Sequence, residues 1–152
     1  MVFKMCSINS TLYGDFVTST IYEDRTLLQS IENQDADVVE YFKVLSLCHT
    51  VVASKHEGNI EYKASSPDEE ALVKAAAKFN FVFVHSDAKF SEIEMNGKRC
   101  KYERLHVIEF TSERKRMSVV LRDLSNNKIY LYTKGADDVI MSRIQKSTPF
   151  TL

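Results

Sequence analysis

Apolar residues recur at helical spacing in one part of this chain and alternate with polar residues in another. Val38, Phe42 and Leu45 fall on one face of a helix, which predicts a helix over residues 35–47 with an aspartate as its N-terminal cap. The preceding segment, 15–33, is mixed and polar, so we expect a loop there with one helical turn. One regular helix is therefore predicted before residue 50.

A second helix is predicted from the start signal at Ser66. Ser66 suits the N-cap, Pro67 suits the first helical position, and Glu69 falls where the carboxylate of a capping box bonds back to the cap. The helix is expected to continue to about Phe79. Its small residues predict close packing against a flat surface, which we expect to be a β-sheet.

Short apolar segments bounded by turn residues predict strands in the rest of the chain. The strongest signal is Asn96-Gly97, which predicts a hairpin between strands 90–95 and 98–102. Further predictions are strands at 2–8, 12–13, 51–53, 60–64, 81–84, 105–110, 117–121 and 128–133, turns at 9–10, 57–59 and 125–127, and a short helix over 137–143 ended by Thr148-Pro149. This order predicts an α+β domain built on an antiparallel sheet.

Length and charge limit the classes of protein that fit. With 152 residues, the chain is expected to form a single domain over residues 1–152. A net charge of -1 argues against a nucleic-acid-binding protein and against a polybasic membrane surface. No apolar run approaches the ~20 residues that span a bilayer, and the first ten residues do not have the pattern of a signal peptide.

The cysteines indicate a reducing compartment and predict no metal site. Cys6, Cys48 and Cys100 are scattered and not in C-x-x-C spacing, so a disulfide framework is not expected. Cys48 and His49 form the only neighbouring Cys/His pair in the sequence, whereas a structural metal site needs three or four ligands. We expect this pair to be buried at a helix end.

Three blocks of sequence together predict a nucleotide pocket. Phe110 precedes three successive cations at 114–116, Lys134 and Gly135 close a predicted strand, and the block 65–73 supplies carboxylates. An aromatic ring can stack on adenine, and Arg and Lys can hold phosphates. Gly135 would let a ligand approach the backbone closely, and Glu69 would accept a hydrogen bond from the adenine amino group.

Each of these features also has a purely structural interpretation. A phenylalanine at a strand end is more often a core residue, a run of cations is usually a solvated turn, and Glu69 would complete the capping box of its own helix. The sequence contains neither a G-x-x-x-x-G-K-[ST] loop nor a G-x-G-x-x-G fingerprint, and no nucleophile with a neighbouring base. No catalytic residue is therefore predicted, and bound nucleotide is expected to react elsewhere.

Five blocks in fixed order resemble the nucleotide-binding domain of P-type ATPases, most closely the phospholipid-translocating (flippase) branch. They are FKMCSINSTLYG, LSLCHTVV, SSPDEEALVKAA, EFTSERKRMSVV and YTKGADDVI, and they run almost from end to end of the chain. The resemblance implies a twisted antiparallel sheet flanked by helices, with the pocket on one sheet face near Phe110 and Lys134.

The resemblance also implies roles for particular residues. Phe110 would stack on adenine, Lys134 would lie beside the adenine and ribose, and Glu69 would reach the adenine edge. Ser112 and Lys115 would lie near the sugar and phosphates. Three further residues would line the same region: Asp68, Gly135 and Ala136.

The resemblance further implies a membrane-embedded parent protein with actuator and phosphorylation domains. ATP held by this chain on the cytoplasmic face of the membrane would phosphorylate an Asp in a D-K-T-G-T motif that this sequence lacks. Mg²⁺ would be held mainly by that phosphorylation domain, and the resemblance allows for an accessory subunit. The chain itself is expected to be a soluble monomer, excised from the parent and short at its C-terminus, since no GLRTL-like segment with its phosphate-region Arg follows.

Two alternatives remain open at this point. One is the same domain from a cation-transporting P-type ATPase, because the FTSERKRMSV and KGAD blocks are shared widely. The other is a non-catalytic interaction module with the same fold. That alternative is favoured by the C-terminus at Leu152 and by Glu70, which stands where close relatives usually carry Gly.

Overall fold

A computed structural model describes residues 2–15 and 20–144 of the chain. The strands in that part are β1 Met5–Ile8, β2 Thr11–Gly14, β3 Val52–His56, β4 Asn59–Lys63, β5 Phe81–Ser86, β6 Phe90–Met95, β7 Lys98–Ile108, β8 Arg116–Asp123 and β9 Ile129–Gly135. The helices are a 3₁₀ turn at Ile21–Glu23, then α1 Arg25–Glu32, α2 Ala36–Leu47, α3 Pro67–Lys78 and α4 Asp137–Met141. Across residues 2–15 and 20–144, no helix is long and apolar enough to cross a membrane.

The main sheet has five strands in the order β5-β6-β7-β8-β9, and every neighbouring pair is antiparallel. Two separate hairpins, β1-β2 and β3-β4, flank it. Because each strand pairs with the next one along the chain, short turns suffice to connect them. The predicted α+β fold with an antiparallel sheet and flanking helices is confirmed.

Helices α2 and α3 cover one face of the sheet and bury two apolar clusters beneath them. In the first cluster the ring of Phe42 lies 4.8 Å from that of Phe79 and 5.3 Å from that of Phe81. In the second, Val73 of α3 packs with core residues of all five strands of the main sheet. Burial of these side chains fixes which face of the sheet the helices occupy.

Several elements were predicted correctly from short sequence patterns. Asp35 caps α2, accepting hydrogen bonds from the backbone N–H groups of Asp37 at 3.0 Å and Val38 at 3.1 Å. The turn at Asn9-Ser10 is present with both residues at positive φ, and the Asn9 side chain donates to Asp37 at 2.8 Å. This bond fastens the β1-β2 hairpin to the start of α2.

The prediction of a loop over 15–33 is wrong, because this segment contains helix α1. Asp24 caps it by accepting from the N–H of Leu27 at 3.0 Å, and it also accepts from the N–H of Gly14 at 2.7 Å. Leu27 and Ile31 are buried at i, i+4 spacing. These two buried side chains and the N-terminal cap stabilise an otherwise polar helix of eight residues.

Residues predicted as two strands around position 103 form the single strand β7. The strand bends at a register shift between Arg104 and His106 instead of breaking there. It ends at Ile108, so Phe110 lies beyond the strand, whereas β9 runs to Gly135 and includes Lys134. Helix α4 begins as predicted and ends at Met141; the predicted stop at Thr148-Pro149 lies outside the described residues.

Candidate functional site

An ion pair joins the end of the sheet to the start of α3. Lys134 Nζ lies 3.0 Å from Glu69 Oε1, and the two side chains are 22% and 15% exposed. Lys134 pairs with Met117 across strands β9 and β8, so both side chains emerge on the helix-covered face. Glu69 meets Lys134 there because it lies in the first turn of α3.

The second oxygen of the Glu69 carboxylate is bound by Thr50, in the segment between α2 and β3. Oε2 accepts from the Thr50 hydroxyl at 2.8 Å and from the Thr50 N–H at 3.3 Å. Partial burial raises the pKa of Glu69, but the bonds from Thr50 and Lys134 outweigh it, so the pKa lies below its ordinary value. Glu69 is therefore an ionised carboxylate at neutral pH.

The predicted capping box is wrong. Ser66 has the extended backbone of an N-cap, but within the described chain its side chain makes no capping hydrogen bond. The Glu69 carboxylate points to Thr50 and Lys134 and not back to the cap. A bond to the Lys134 ammonium and two bonds from Thr50 stabilise this orientation more than the single backbone N–H of a capping box would.

His49 fixes the backbone on both sides of Thr50. The ring Nε2 lies 2.9 Å from the Ser46 carbonyl, and Nδ1 accepts from the N–H of Val51 at 3.1 Å, so Nε2 carries the proton and donates it. The ring also packs edge-on against Phe83 at 4.5 Å. Burial lowers the pKa of His49 to about 4, which keeps the ring neutral. The expectation that Cys48 and His49 are buried at a helix end is confirmed.

Phe110 lies in the loop between β7 and β8 and is 60% exposed. The interpretation of Phe110 as a core residue is therefore wrong. The loop is held by Arg114, whose guanidinium Nη1 donates to the carbonyls of Glu109 at 2.8 Å, Arg116 at 3.3 Å and Ile108 at 3.5 Å. Of the three predicted phosphate-binding cations, Arg114 thus binds the backbone of its own loop.

The same loop is attached by its backbone to the end of β9. The Lys115 carbonyl accepts from the N–H of Ala136 at 2.9 Å. A Cβ on Gly135 would lie 2.5 Å from both the Lys115 carbonyl oxygen and the Cβ of Arg116. Glycine at 135 is therefore required by the chain's own close strand approach, a reason that differs from the ligand approach predicted from the sequence.

An open cleft of about 630 Å³ lies between the segment that follows α2 and the C-terminal half of β7. Thr50, which binds Glu69, lines it, and so does Glu109, which directly precedes Phe110. The other lining residues come from the same segment as Thr50 and from two more: His49, Val51 and Val52, then Ser86–Ala88 and Arg104–Val107. None of the eight predicted site residues lines the cleft itself; Thr50 and Glu109 are the lining residues that lie next to them, by a hydrogen bond to Glu69 and by sequence to Phe110.

The eight predicted site residues fall into recognisable groups. Glu69 and Lys134 form the ion pair, and Asp68 is exposed beside Glu69 in the first turn of α3. The others belong to the loop after β7 and to the end of β9 that is bonded to it: Phe110, Ser112, Lys115, Gly135 and Ala136. Ser112 and Lys115 are exposed in that loop, and Lys115 has a φ of 49°.

Sequence analysis assigned no role to Thr50, and it predicted phosphate binding for Arg114, which instead binds backbone carbonyls. Thr50 belongs to the block LSLCHTVV, which supported the resemblance but carried no chemical signal of its own. Its partner Glu69 is 19 residues away, so only the fold brings them together. Within the described ranges, no group of three or more His, Cys, Asp or Glu residues is placed to hold a metal ion.

Comparison with known proteins identifies the family to which this chain belongs. Residues 37–149 match the family described as P-type ATPase, cytoplasmic domain N. Phospholipid-transporting ATPase 2 of Arabidopsis thaliana is 44% identical over 142 residues, covering 93% of this chain and 13% of that protein. Phospholipid-transporting ATPase IC of Xenopus tropicalis is 40% identical over 170 aligned positions, and phospholipid-transporting ATPase ID of Homo sapiens is 37% identical over 174. The chain covers 14% of the length of each of these last two proteins.

Proposed function

Since the chain belongs to the family of P-type ATPase cytoplasmic N domains, we propose that it is the ATP-binding cytosolic domain of a phospholipid-translocating P-type ATPase. The relatives whose names specify phospholipid transport are seven to eight times longer than the part matched here, as coverages of 13% and 14% imply. Lipid transport is therefore proposed for the whole parent protein, and nucleotide binding for this chain.

The exposure of Phe110 is the observation that carries the proposal. Among the phenylalanines in the described ranges, Phe110 alone is exposed; the others are buried or half-buried: Phe3, Phe42, Phe79, Phe81, Phe83 and Phe90. Leaving an aromatic ring in water forgoes about 1.5–3 kcal/mol of burial. A loop anchored by Arg114 holds this ring at the surface, as expected for a residue that stacks on a base.

The other predicted site residues have complementary roles in the proposal. Lys134 lies beside the adenine and ribose, and Glu69 acts at the adenine edge. Ser112 and Lys115 approach the sugar and phosphates from the exposed loop. The remaining residues line the same region: Asp68, Gly135 and Ala136.

Phosphoryl transfer is assigned to other domains of the parent protein. This chain would hold ATP while an Asp of a separate phosphorylation domain attacks the γ-phosphate. That domain would also hold most of the Mg²⁺, whose chemistry is to neutralise charge on the phosphates. Affinity of the isolated chain is expected to be weak, and it should not turn over, because the main phosphate contacts are made elsewhere.

The proposal also places the chain in a larger assembly. The parent would be membrane-embedded, with this domain on the cytoplasmic face next to the actuator and phosphorylation domains. Weak binding suits such a hinged domain, since it has to deliver the nucleotide and then release it.

An amide chemical-shift titration with ATP, AMP and GTP tests nucleotide binding. We expect saturable shifts centred on Phe110, Ser112 and Lys134 with ATP and AMP, and smaller shifts with GTP. A folded spectrum without such shifts at millimolar ATP would overturn the proposal and favour a non-catalytic interaction module. Equal shifts with all three nucleotides would remove the adenine preference.

A further inference from the structure

We propose that Thr50 is the residue that recognises the adenine amino group, with its hydroxyl oriented for this purpose by Glu69. The inference rests on the proposed function, because it assigns base specificity within the same site. It also moves the direct contact with the base edge from Glu69 to Thr50.

The first argument is that Glu69 is already occupied on both oxygens. Oε1 is paired with Lys134 at 3.0 Å, and Oε2 accepts two bonds from Thr50. The Glu69 side chain is 15% exposed, whereas Thr50 is an exposed residue that lines the cleft. Thr50 is therefore the member of this network that a ligand in the cleft meets first.

The second argument concerns the direction of the hydroxyl proton. An ionised carboxylate only accepts hydrogen bonds, so the Thr50 hydroxyl must donate its proton to Glu69. The Thr50 N–H is directed to the same oxygen. What remains on the hydroxyl oxygen is a lone pair, which can accept a hydrogen bond and cannot donate one.

A third argument is that Thr50 stands on a fixed backbone. The buried ring of His49 is bonded to the carbonyl of Ser46 on one side and to the N–H of Val51 on the other. A hydroxyl held on such a frame loses little further freedom when a ligand binds.

An acceptor at this position distinguishes the common purines. Adenine carries an amino group at C6, which donates, whereas guanine and hypoxanthine carry an oxygen there, which accepts. Two acceptors facing each other leave both without a partner, and this costs binding free energy. The geometry thus favours a 6-aminopurine over a 6-oxopurine.

The test compares the affinities of ATP and inosine triphosphate, which differ in the group at C6. Both are titrated into the 152-residue chain and followed by amide chemical shifts. We expect the wild-type chain to prefer ATP by about three- to tenfold, the effect of one hydrogen bond. Thr50→Val should reduce the ratio to about one, and Thr50→Ser, which restores the hydroxyl, should recover it.

Thr11→Val on the exposed face of β2 is the matched control and should keep the wild-type ratio. The amide spectrum of each variant shows directly whether the fold is retained. A wild-type ratio in folded Thr50→Val would overturn the assignment of Thr50 while leaving ATP binding in place. Failure of the wild-type chain to bind either nucleotide would instead overturn the proposed function, and this assignment with it.

Discussion

Lys134 and Glu69, 65 positions apart in the sequence, form an ion pair of 3.0 Å that joins β9 to the first turn of α3. Neither residue is placed by its neighbours in sequence: Lys134 is positioned by its strand register with Met117, and Glu69 by the packing of α3 on the sheet. Thr50 completes the network from a third segment. Three separate parts of the chain therefore have to fold correctly for this site to form.

Glu69→Gln should lower the free energy of unfolding by about 1–3 kcal/mol, because it leaves the half-buried Lys134 ammonium without its charged partner. Urea unfolding at pH 7 measures this. Glu70→Gln is the matched control, since Glu70 lies in the same helical turn and pairs with Lys74 at the surface. That pair should contribute less than about 1 kcal/mol. Equal losses in the two variants would contradict a special role for the Glu69 pair.

Phe110→Ala should weaken ATP binding by about 1–3 kcal/mol through loss of stacking. The free energy of unfolding should change little, because the ring is already 60% exposed. Chemical-shift titration measures the affinity for ATP, and urea unfolding measures the free energy of unfolding. Phe90→Ala removes a half-buried ring at the start of β6 and should leave ATP affinity unchanged. Wild-type affinity in Phe110→Ala would refute the stacking assignment.

Arg114→Lys should weaken ATP and AMP binding by the same factor. Lysine keeps the charge, but it cannot reproduce the bonds of the guanidinium to carbonyls of its own loop, so the loop that carries Phe110 becomes less ordered. Amide exchange over 109–116 should accelerate in parallel. A loss confined to ATP would show instead that Arg114 contacts the outer phosphates.

The pH dependence of stability should carry the signature of His49. Its pKa is about 4 in the folded chain and near 6.5 when unfolded, so between these values the unfolded state binds the additional proton. The contribution of the neutral His49 ring to the free energy of unfolding is therefore complete above pH 6.5. As the pH falls from there to 5, the free energy of unfolding should decrease by about 2 kcal/mol.

Urea unfolding at pH 7.5 and pH 5 tests this expectation about His49. His49→Gln should be less stable than the wild-type chain at pH 7.5, but it should lose about 2 kcal/mol less on acidification. His56→Gln, at an exposed position of β3, should keep the wild-type pH dependence. If His49→Gln responded to pH like the wild-type chain, some other group would be responsible.

Elements governed by local chemistry could be predicted from the sequence. The cap of α2 by Asp35 and the β6–β7 turn at Asn96-Gly97 depend on a few adjacent residues, and both are present, with Asn96 and Gly97 at positive φ. The family blocks added candidate site residues that composition and periodicity alone would not have selected.

What the sequence could not supply depends on distant contacts. Helix α1 was missed because its stability comes from burying Leu27 and Ile31, which a polar segment does not reveal. The capping-box prediction for Glu69 is wrong because Thr50 and Lys134 bind its carboxylate in place of the backbone N–H of Ser66. Only the fold brings these two residues close to Glu69. Arg114 illustrates the same limit, since a cation beside a predicted phosphate site proved to bind its own loop.

The pairing of Lys134 with Glu69 has a consequence for the energetics of the ATP cycle. A lysine already neutralised by an adjacent carboxylate exerts little net attraction on a polyphosphate. We therefore expect the part of the site around Lys134 and Glu69 to bind ATP, ADP and AMP with similar strength, and we expect this binding to depend only weakly on ionic strength. Discrimination between ATP and ADP would then depend on the groups that contact the outer phosphates, which are Lys115 in this chain and the phosphorylation domain of the parent protein.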